Sequence, residues 1–333
     1  MHAIRHHAFG PAEVLQLEEL PDLTPAAGHL RIAVEAAGVH LLDTSIRAGE
    51  AFGAGEPPEL PVVPGREVAG VVDAVGPGVD RDWVGRRVVA HLGFAGGGYA
   101  DQAVVDATRA HRLPDHLDAP TAVAAIGTGR TAAAILEYAA IAPDDVVAVT
   151  SAAGGLGVLL VQGVRAAGAA AIGVAGGPDK VAVAAVHGAD PALDRRTPGW
   201  ADALGVHGPL TVVLDGVGGD VGRTLYERLA PGGRLVRYGW ASGVQNAYDD
   251  PARPVVDVLG PPILSRIAEF ERAALDAAAD GSRVPYVGTT FPLADAAAAH
   301  RALEAGATTG KVVLLVTDPA DGTARADRTG AAR

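Results

Sequence analysis

A β-type run from Val146 to Thr150, VVAVT, passes into the turn SAAGGLG and then into VLLVQGVRAAG, a segment with helical composition. Ala152, Gly154 and Gly157 stand at the spacing by which a strand, a tight turn and a helix grip a pyrophosphate, with alanine where a first glycine is usual. Each position has its own physical requirement. A small residue permits the turn, Gly154 lets backbone approach the phosphates, Gly157 lets helix and strand pack closely, and the free amides of the first helical turn face negative charge. The expected contacts are Ala152, Ala153, Gly154, Gly155, Leu156 and Gly157. Such glycines also occur in ordinary turns of a chain with 44 of them, but their place between strand and helix favours a dinucleotide.

The next strand of the unit decides which dinucleotide is bound, because a carboxylate at its end would grip a ribose 2′-hydroxyl. Here the strand closes on Ile172-Gly173-Val174-Ala175-Gly176-Gly177 without an acid. Room beside Ala175 and Gly176 suits a 2′-phosphate, with Lys180 and Arg195 supplying charge, so NADPH is expected rather than NADH. Alternatively Lys180, next to Asp179, is a solvent-facing lysine of a first helical turn. Two later strands, in VVLDGVGG and GGRLVRYGWASG, end in glycine-rich turns on the same carboxyl edge. They offer Val217, Tyr238 and Gly239 as backbone contacts to ribose and nicotinamide.

Composition removes other chemistries. The chain of 333 residues has no cysteine, so disulfides, thiolate nucleophiles and thiolate-bound metals are excluded. A formal charge of -12 and the lack of a basic run argue against nucleic acid as a partner. No serine sits in a Gly-x-Ser-x-Gly context, and Ser151 reads as a hydrogen-bond donor in the phosphate loop. No apolar run is long enough to span a membrane, and MHAIRHHAFGP does not resemble a secretory leader, so a cytoplasmic location is expected. His2, His6 and His7 read as surface histidines of a first strand.

These residues require an α/β scaffold. Short β runs broken by Gly/Pro turns dominate residues 1–121, and strands then alternate with helices, beginning with an Ala-rich helix over 121–140. The expectation is a doubly wound parallel sheet over 122–258, a return to the β-rich lobe over 259–318 and a flexible tail over 319–333.

The order and spacing of GVHLLDTSIRAG, PGREVAGVVDAVGPGV, GRRVVA, GGYADQAVV, TSAAGGLGVLLVQ, VVLDGVGG and FPLADAAAAHRALEAGATTGKVVLL resemble the medium-chain dehydrogenase/reductase superfamily, specifically its zinc-free quinone oxidoreductase and enoyl reductase branch. The resemblance implies a GroES-like catalytic domain formed by both chain ends, a Rossmann domain between them, and a substrate cleft where the two meet. It also implies a homodimer with its seam at the edge strand near GGRLVRYGW, and it makes Thr131 a cofactor contact. Zinc-dependent relatives place their ligands at positions corresponding to His40, Arg66 and Gly127. Arginine has no lone pair to offer and glycine no side chain, so no metal is expected.

Without a Lewis acid, alcohol oxidation loses its means of stabilising an alkoxide, whereas hydride addition to a conjugated carbonyl or a quinone needs only a donor for the developing oxyanion. The resemblance puts His40 and Arg66 where such a donor would stand. Each also has a structural reading: Arg66 in a salt bridge with Glu67 or Asp43, and His40 as a satisfied core histidine. The branch usually carries Asn where this chain has His40 and Tyr where it has Ser45, while Asp43 and Arg47 match its pattern as structural residues. The expected function is therefore an NADPH-dependent reductase of a small enone or quinone. Its alternatives are a non-redox cyclisation enzyme and a silent NADPH-binding or sensing protein.

Overall fold

The computed structural model describes residues 1–50, 58–93 and 96–316. The expected tail at 319–333 lies outside the described residues.

The chain divides into two units, one formed by Met1–Gly127 with the segment from Val287 onward, the other by Thr128–Tyr286. In the first unit β1 (His2–Arg5) pairs with β2 (Gln16–Glu19), and β3 (His29–Val39) leads into α1 (Leu41–Ala48). Next come β4 (Glu67–Val75), β5 (Arg87–His91), β6 (Gln102–Asp106), β7 (Ala110–Arg112) and α2 (Ala119–Ala124). Leu30, Ile32 and Val34 alternate along β3 and bury one face, joining Val68, Val72 and Val88 in the core of an antiparallel lobe. The first histidines depart from the surface expectation. His6 is buried, with Nδ1 3.1 Å from the Ala8 carbonyl, whereas the side chains of His2, beside Asp101, and His7, paired with Glu18, are exposed.

The second unit begins with α3 (Arg130–Ala139), followed by β8 (Val146–Thr150), α4 (Gly155–Ala166), β9 (Ala170–Ala175), α5 (Pro178–Val186) and β10 (Ala192–Asp194). It continues through β11 (Leu210–Asp215), α6 (Gly219–Glu227), β12 (Leu229–Arg237), β13 (Val255–Asp257), α7 (Pro261–Leu264) and α8 (Ile267–Ala279). All its strand pairings are parallel, in the order β10-β9-β8-β11-β12-β13. Counted within the unit this is 3-2-1-4-5-6, the Rossmann order, whose ligand crevice opens where the order reverses, between β8 and β11. Every residue of β8 is buried, as a central strand covered on both faces requires.

Three expectations change. The single helix over 121–140 is split, because a π-helical turn at Ala125–Gly129, containing two helix-weakening glycines, separates α2 from α3. GGRLVRYGW is not an edge strand: β12 lies between β11 and β13, so the edge belongs to β13. The return to the first unit comes at Val287 rather than 259, since Phe270 of α8 packs with Ile263 on Ala133 and Ala134 of α3 and keeps that segment in the second unit. The returning chain adds β14 (Val287–Pro292), α9 (Ala296–Glu304) and β15 (Lys311–Leu315), and β15 pairs antiparallel with β3. Among the described residues no helix is long and apolar enough to cross a membrane.

Candidate active site and cofactor site

In the first unit a charged cluster assembles from several distant segments. His40 caps the N-terminus of α1, and its amide donates to Asp43 Oδ2 at 2.8 Å. Asp43 also accepts from Arg66 Nε (3.2 Å, at Oδ1) and from the Tyr99 hydroxyl (3.2 Å, at Oδ2). The approach to Arg66 is set by Gly65, whose φ of +89° suits glycine and whose missing side chain makes room for the Tyr99 ring, 2.3 Å from where a Cβ would stand. Behind Tyr99 lies the fully buried His300, its Nε2 3.0 Å from the hydroxyl. The tyrosine has one proton and gives it to Asp43, so the neutral imidazole donates from Nε2 and keeps a bare lone pair at Nδ1, which has no partner. Burial lowers the His300 pKa to about 4.

Glu67, fully buried at the start of β4, forms the second half of the cluster. Its Oε1 lies 2.7 Å from His40 Nε2 and its Oε2 2.9 Å from Lys311 Nζ. Neither oxygen is aligned as a hydrogen-bond acceptor, so these contacts act through charge rather than direction. Burial alone would raise the Glu67 carboxyl, but the charges of His40 and Lys311 hold it well below the usual range. His40 moves the other way: burial lowers its pKa, against the pull of Glu67 and together with the push of Lys311. Lys311 Nζ is also 2.9 Å from His40 Nε2. A ring nitrogen has one site for a proton or a lone pair, so Nε2 accepts from Lys311 only when it carries no proton. At Gly127 an added Cβ would fall 1.5 Å from Glu67 Oε1, so the carboxylate fills the space a side chain would need there.

The second unit carries the phosphate loop. Gly154 is the N-cap of α4, with no side chain capping the helix, so the first-turn amides at Gly155, Leu156 and Gly157 have no carbonyl of their own helix to bond. At Gly157 a Cβ would lie 2.2 Å from the Ser151 carbonyl and 2.8 Å from Ala152 Cα, so only glycine permits this crossing. Ala152 and Ala153 are buried beneath the turn, and the Ala152 amide is held by the Val174 carbonyl at 3.1 Å. Ser151 takes the left-handed region at φ +52°, unusual for a residue with a side chain.

At the ends of β9 and β10 three cations converge. Gly176, next to Ala175, opens onto Arg195, whose guanidinium lies 3.3 Å from where a Gly176 Cβ would stand, and Gly177 opens likewise onto Arg196. Asp194 organises the turn by accepting from the Gly177 and Arg196 amides, both at 2.9 Å. The Lys180 pKa is lowered, first by desolvation and then by Arg196 and Arg195. Lys180 is thus half-buried among like charges.

The remaining predicted contacts are placed less openly. Thr131 lies in the first turn of α3. The Val217 amide donates to Asp215 Oδ1 (2.9 Å) and its carbonyl accepts from Ser242 (2.9 Å). Tyr238 turns its ring into the core, the hydroxyl donating to the Thr150 carbonyl at 3.3 Å, while Gly239 sits against the Gly216 carbonyl.

Residues 26–115 match the family described as alcohol dehydrogenase GroES-like domain, and residues 187–314 the one described as zinc-binding dehydrogenase. A 2-haloacrylate reductase of a Burkholderia species is 33% identical over 95% of this chain and 98% of its own length. The quinone oxidoreductase of Sus scrofa is 30% identical over 95% and 98%. The chain belongs to the medium-chain dehydrogenase/reductase superfamily, in its quinone oxidoreductase branch. A solved Escherichia coli quinone oxidoreductase complexed with NADPH superposes with a TM-score of 0.83 at 29% identity, covering 95% of this chain and 100% of that one.

The metal named in one family description does not fit these residues. Of the three ligand positions only His40 has a ligand atom, and Lys311 sets an ammonium 2.9 Å from that nitrogen, which repels a divalent ion. A dinucleotide does fit, on the open first turn of α4 and beside the three cations. Lys311, Tyr99 and Arg196 had escaped the sequence reading, and Glu67 had been named only as a possible partner of Arg66. Their signals were a carboxylate and a lysine each opening an apolar strand, and an Arg195-Arg196 doublet.

Proposed function

We propose that this chain is an NADPH-dependent, metal-independent reductase that adds hydride to a small activated alkene or a quinone. The observation that carries the reading is the cluster itself: where metal-dependent members hold a cation, this chain sets Arg66 and His40, fixed from behind by Asp43, Glu67 and Lys311. NADPH, when bound, supplies hydride. The loop Ala152 to Gly157 would hold its pyrophosphate, and Lys180, Arg195 and Arg196 its 2′-phosphate, with Thr131, Val217, Tyr238 and Gly239 toward the rest of the cofactor. Arg66 carries a fixed charge against an oxyanion developing on the substrate, and His40 stands beside it as a candidate hydrogen-bond donor. A cytoplasmic homodimer, joined along the β13 edge of the six-stranded sheet, completes the reading.

The test is the loss of NADPH absorbance with a panel of quinones and enones, repeated with NADH. NADPH should be consumed and should outperform NADH. In the Arg195→Ala/Arg196→Ala double variant the NADPH KM should rise about ten- to a hundred-fold, the loss of one to two charge-assisted contacts, with little change toward NADH. Equal use of both cofactors by the unaltered protein would overturn the 2′-phosphate assignment.

A further inference from the structure

The charges of the buried cluster are not equally satisfied. Lys311 and Glu67 neutralise each other at 2.9 Å, and both are almost wholly buried. Arg66 is 9% exposed and uses only Nε, in a single 3.2 Å bond to Asp43. That carboxylate divides its charge among Arg66, the His40 amide and the Tyr99 hydroxyl. The two terminal nitrogens of Arg66 make no hydrogen bond among the described residues, yet neither is sealed from solvent. A guanidinium held by its inner edge, with its outer fork uncommitted, has the geometry for bidentate recognition of a planar anion. With its inner edge fixed by Asp43 and its outer fork reachable from solvent, the guanidinium is set to receive a ligand that completes it.

We propose that Arg66 is a carboxylate-recognition residue and that the substrates of this chain include small α,β-unsaturated carboxylates, in which the acid is itself the group activating the alkene. The inference rests on the reductase reading above and narrows it. An ordinary enone needs one donor for one oxyanion. In an alkenoate, hydride from NADPH forms a C–H bond at the β-carbon while the C=C π pair shifts toward a carboxylate that is already charged. The resulting enediolate carries two negative charges and needs a cationic fork rather than a neutral donor. A proton from water then adds at the α-carbon, leaving a saturated carboxylate and NADP+. The chain's net charge of -12 makes an anionic substrate unwelcome elsewhere, which sharpens the requirement for a local cation.

The experiment compares crotonate with crotonamide as substrates, and butanoate with butanamide as unreactive ligands. The first pair is followed by NADPH oxidation, the second by calorimetric titration into the NADP+-loaded protein. The expected result is a preference for each acid over its amide. In Arg66→Gln the acid-to-amide ratio should fall at least a hundred-fold in kcat/KM and about ten-fold or more in affinity, with partial recovery in Arg66→Lys. Melting curves and NADPH titration confirm that the variants are folded. Equal handling of acid and amide by the unaltered protein, or an equal loss on both in Arg66→Gln, would overturn the proposal. Reduction of quinones or enones alongside indifference to the carboxylates sinks this inference alone, whereas no NADPH oxidation with any acceptor sinks the reductase reading beneath it.

Discussion

Lys180, Arg195 and Arg196 gather at the end of β9 and β10 with like charges facing one another, whereas Glu67, Lys311, Asp43 and Arg66 are buried and matched in sign. In the first group desolvation, then Arg196 and Arg195, depress Lys180 while the two arginines share the nearby Asp194 carboxylate, and an arriving dianion would add opposing charge. The second is nearly complete without any ligand, and only the outer fork of Arg66 remains uncommitted. One site therefore recognises by accumulated charge near the surface, the other by a single charge held rigid at depth. The two should respond differently to mutation, acid and added anions.

The largest effect is expected from breaking the buried pair. Lys311→Met leaves Glu67 charged and buried with only His40 and His91 beside it among the groups acting on it, and should cost about 3–5 kcal/mol in denaturant unfolding. Adding Glu67→Gln should recover part of that loss, because both charges are then gone. Additive losses in the double variant would contradict the coupling read from the 2.9 Å contact.

Acid provides the next test. The folded pKa of His300, about 4, lies below the ordinary value of about 6.5, so between those values the unfolded chain binds a proton that the folded chain refuses. Stability should therefore be full above pH 6.5 and decline as pH falls toward 4, by about 3 kcal/mol from this group alone. Glu67, held below its unfolded value, loses its contribution on further acidification, as pH falls through its folded pKa. Melting temperatures across this range should show a flatter profile for His300→Gln. An unchanged slope would remove His300 from the account.

The smallest effect concerns the cation cluster. Inorganic phosphate at about ten times its dissociation constant should stabilise the protein by about 1.4 kcal/mol, and the gain should vanish in the Arg195→Ala/Arg196→Ala variant. The buried pair should be indifferent to phosphate, so an equal gain in both proteins would place the anion elsewhere.

The two regions also differed in how much the sequence revealed. Phosphate binding by backbone leaves a local mark, because Ala152, Gly154 and Gly157 must be small at fixed spacing, and the alternation of strand and helix around them disclosed the Rossmann sheet. The partners of His40 left no such mark: Glu67 and Lys311 come from β4 and β15, far apart in the chain, and only the pairing of β3 with both strands brings them together. Asp43 was named beforehand as one possible partner of Arg66, but chain order could not choose between it and Glu67. The register of β4 settles the choice by sending consecutive residues to opposite faces, Arg66 toward α1 and Glu67 toward Lys311. The edge strand near GGRLVRYGW proved to be β13 rather than β12, and the return at residue 259 was placed too early, since short edge strands and helix-on-helix packing have weak local signatures.

The central claim, hydride addition to a conjugated carbon without a metal, is tested most directly by supplying NADPH deuterated at C4 with an enone and locating the label by NMR in the presence of excess chelator. The account predicts one deuterium at the β-carbon of the saturated ketone, at a rate the chelator does not change. Deuterium on the carbonyl carbon, giving an allylic alcohol, or activity abolished by the chelator, would contradict it.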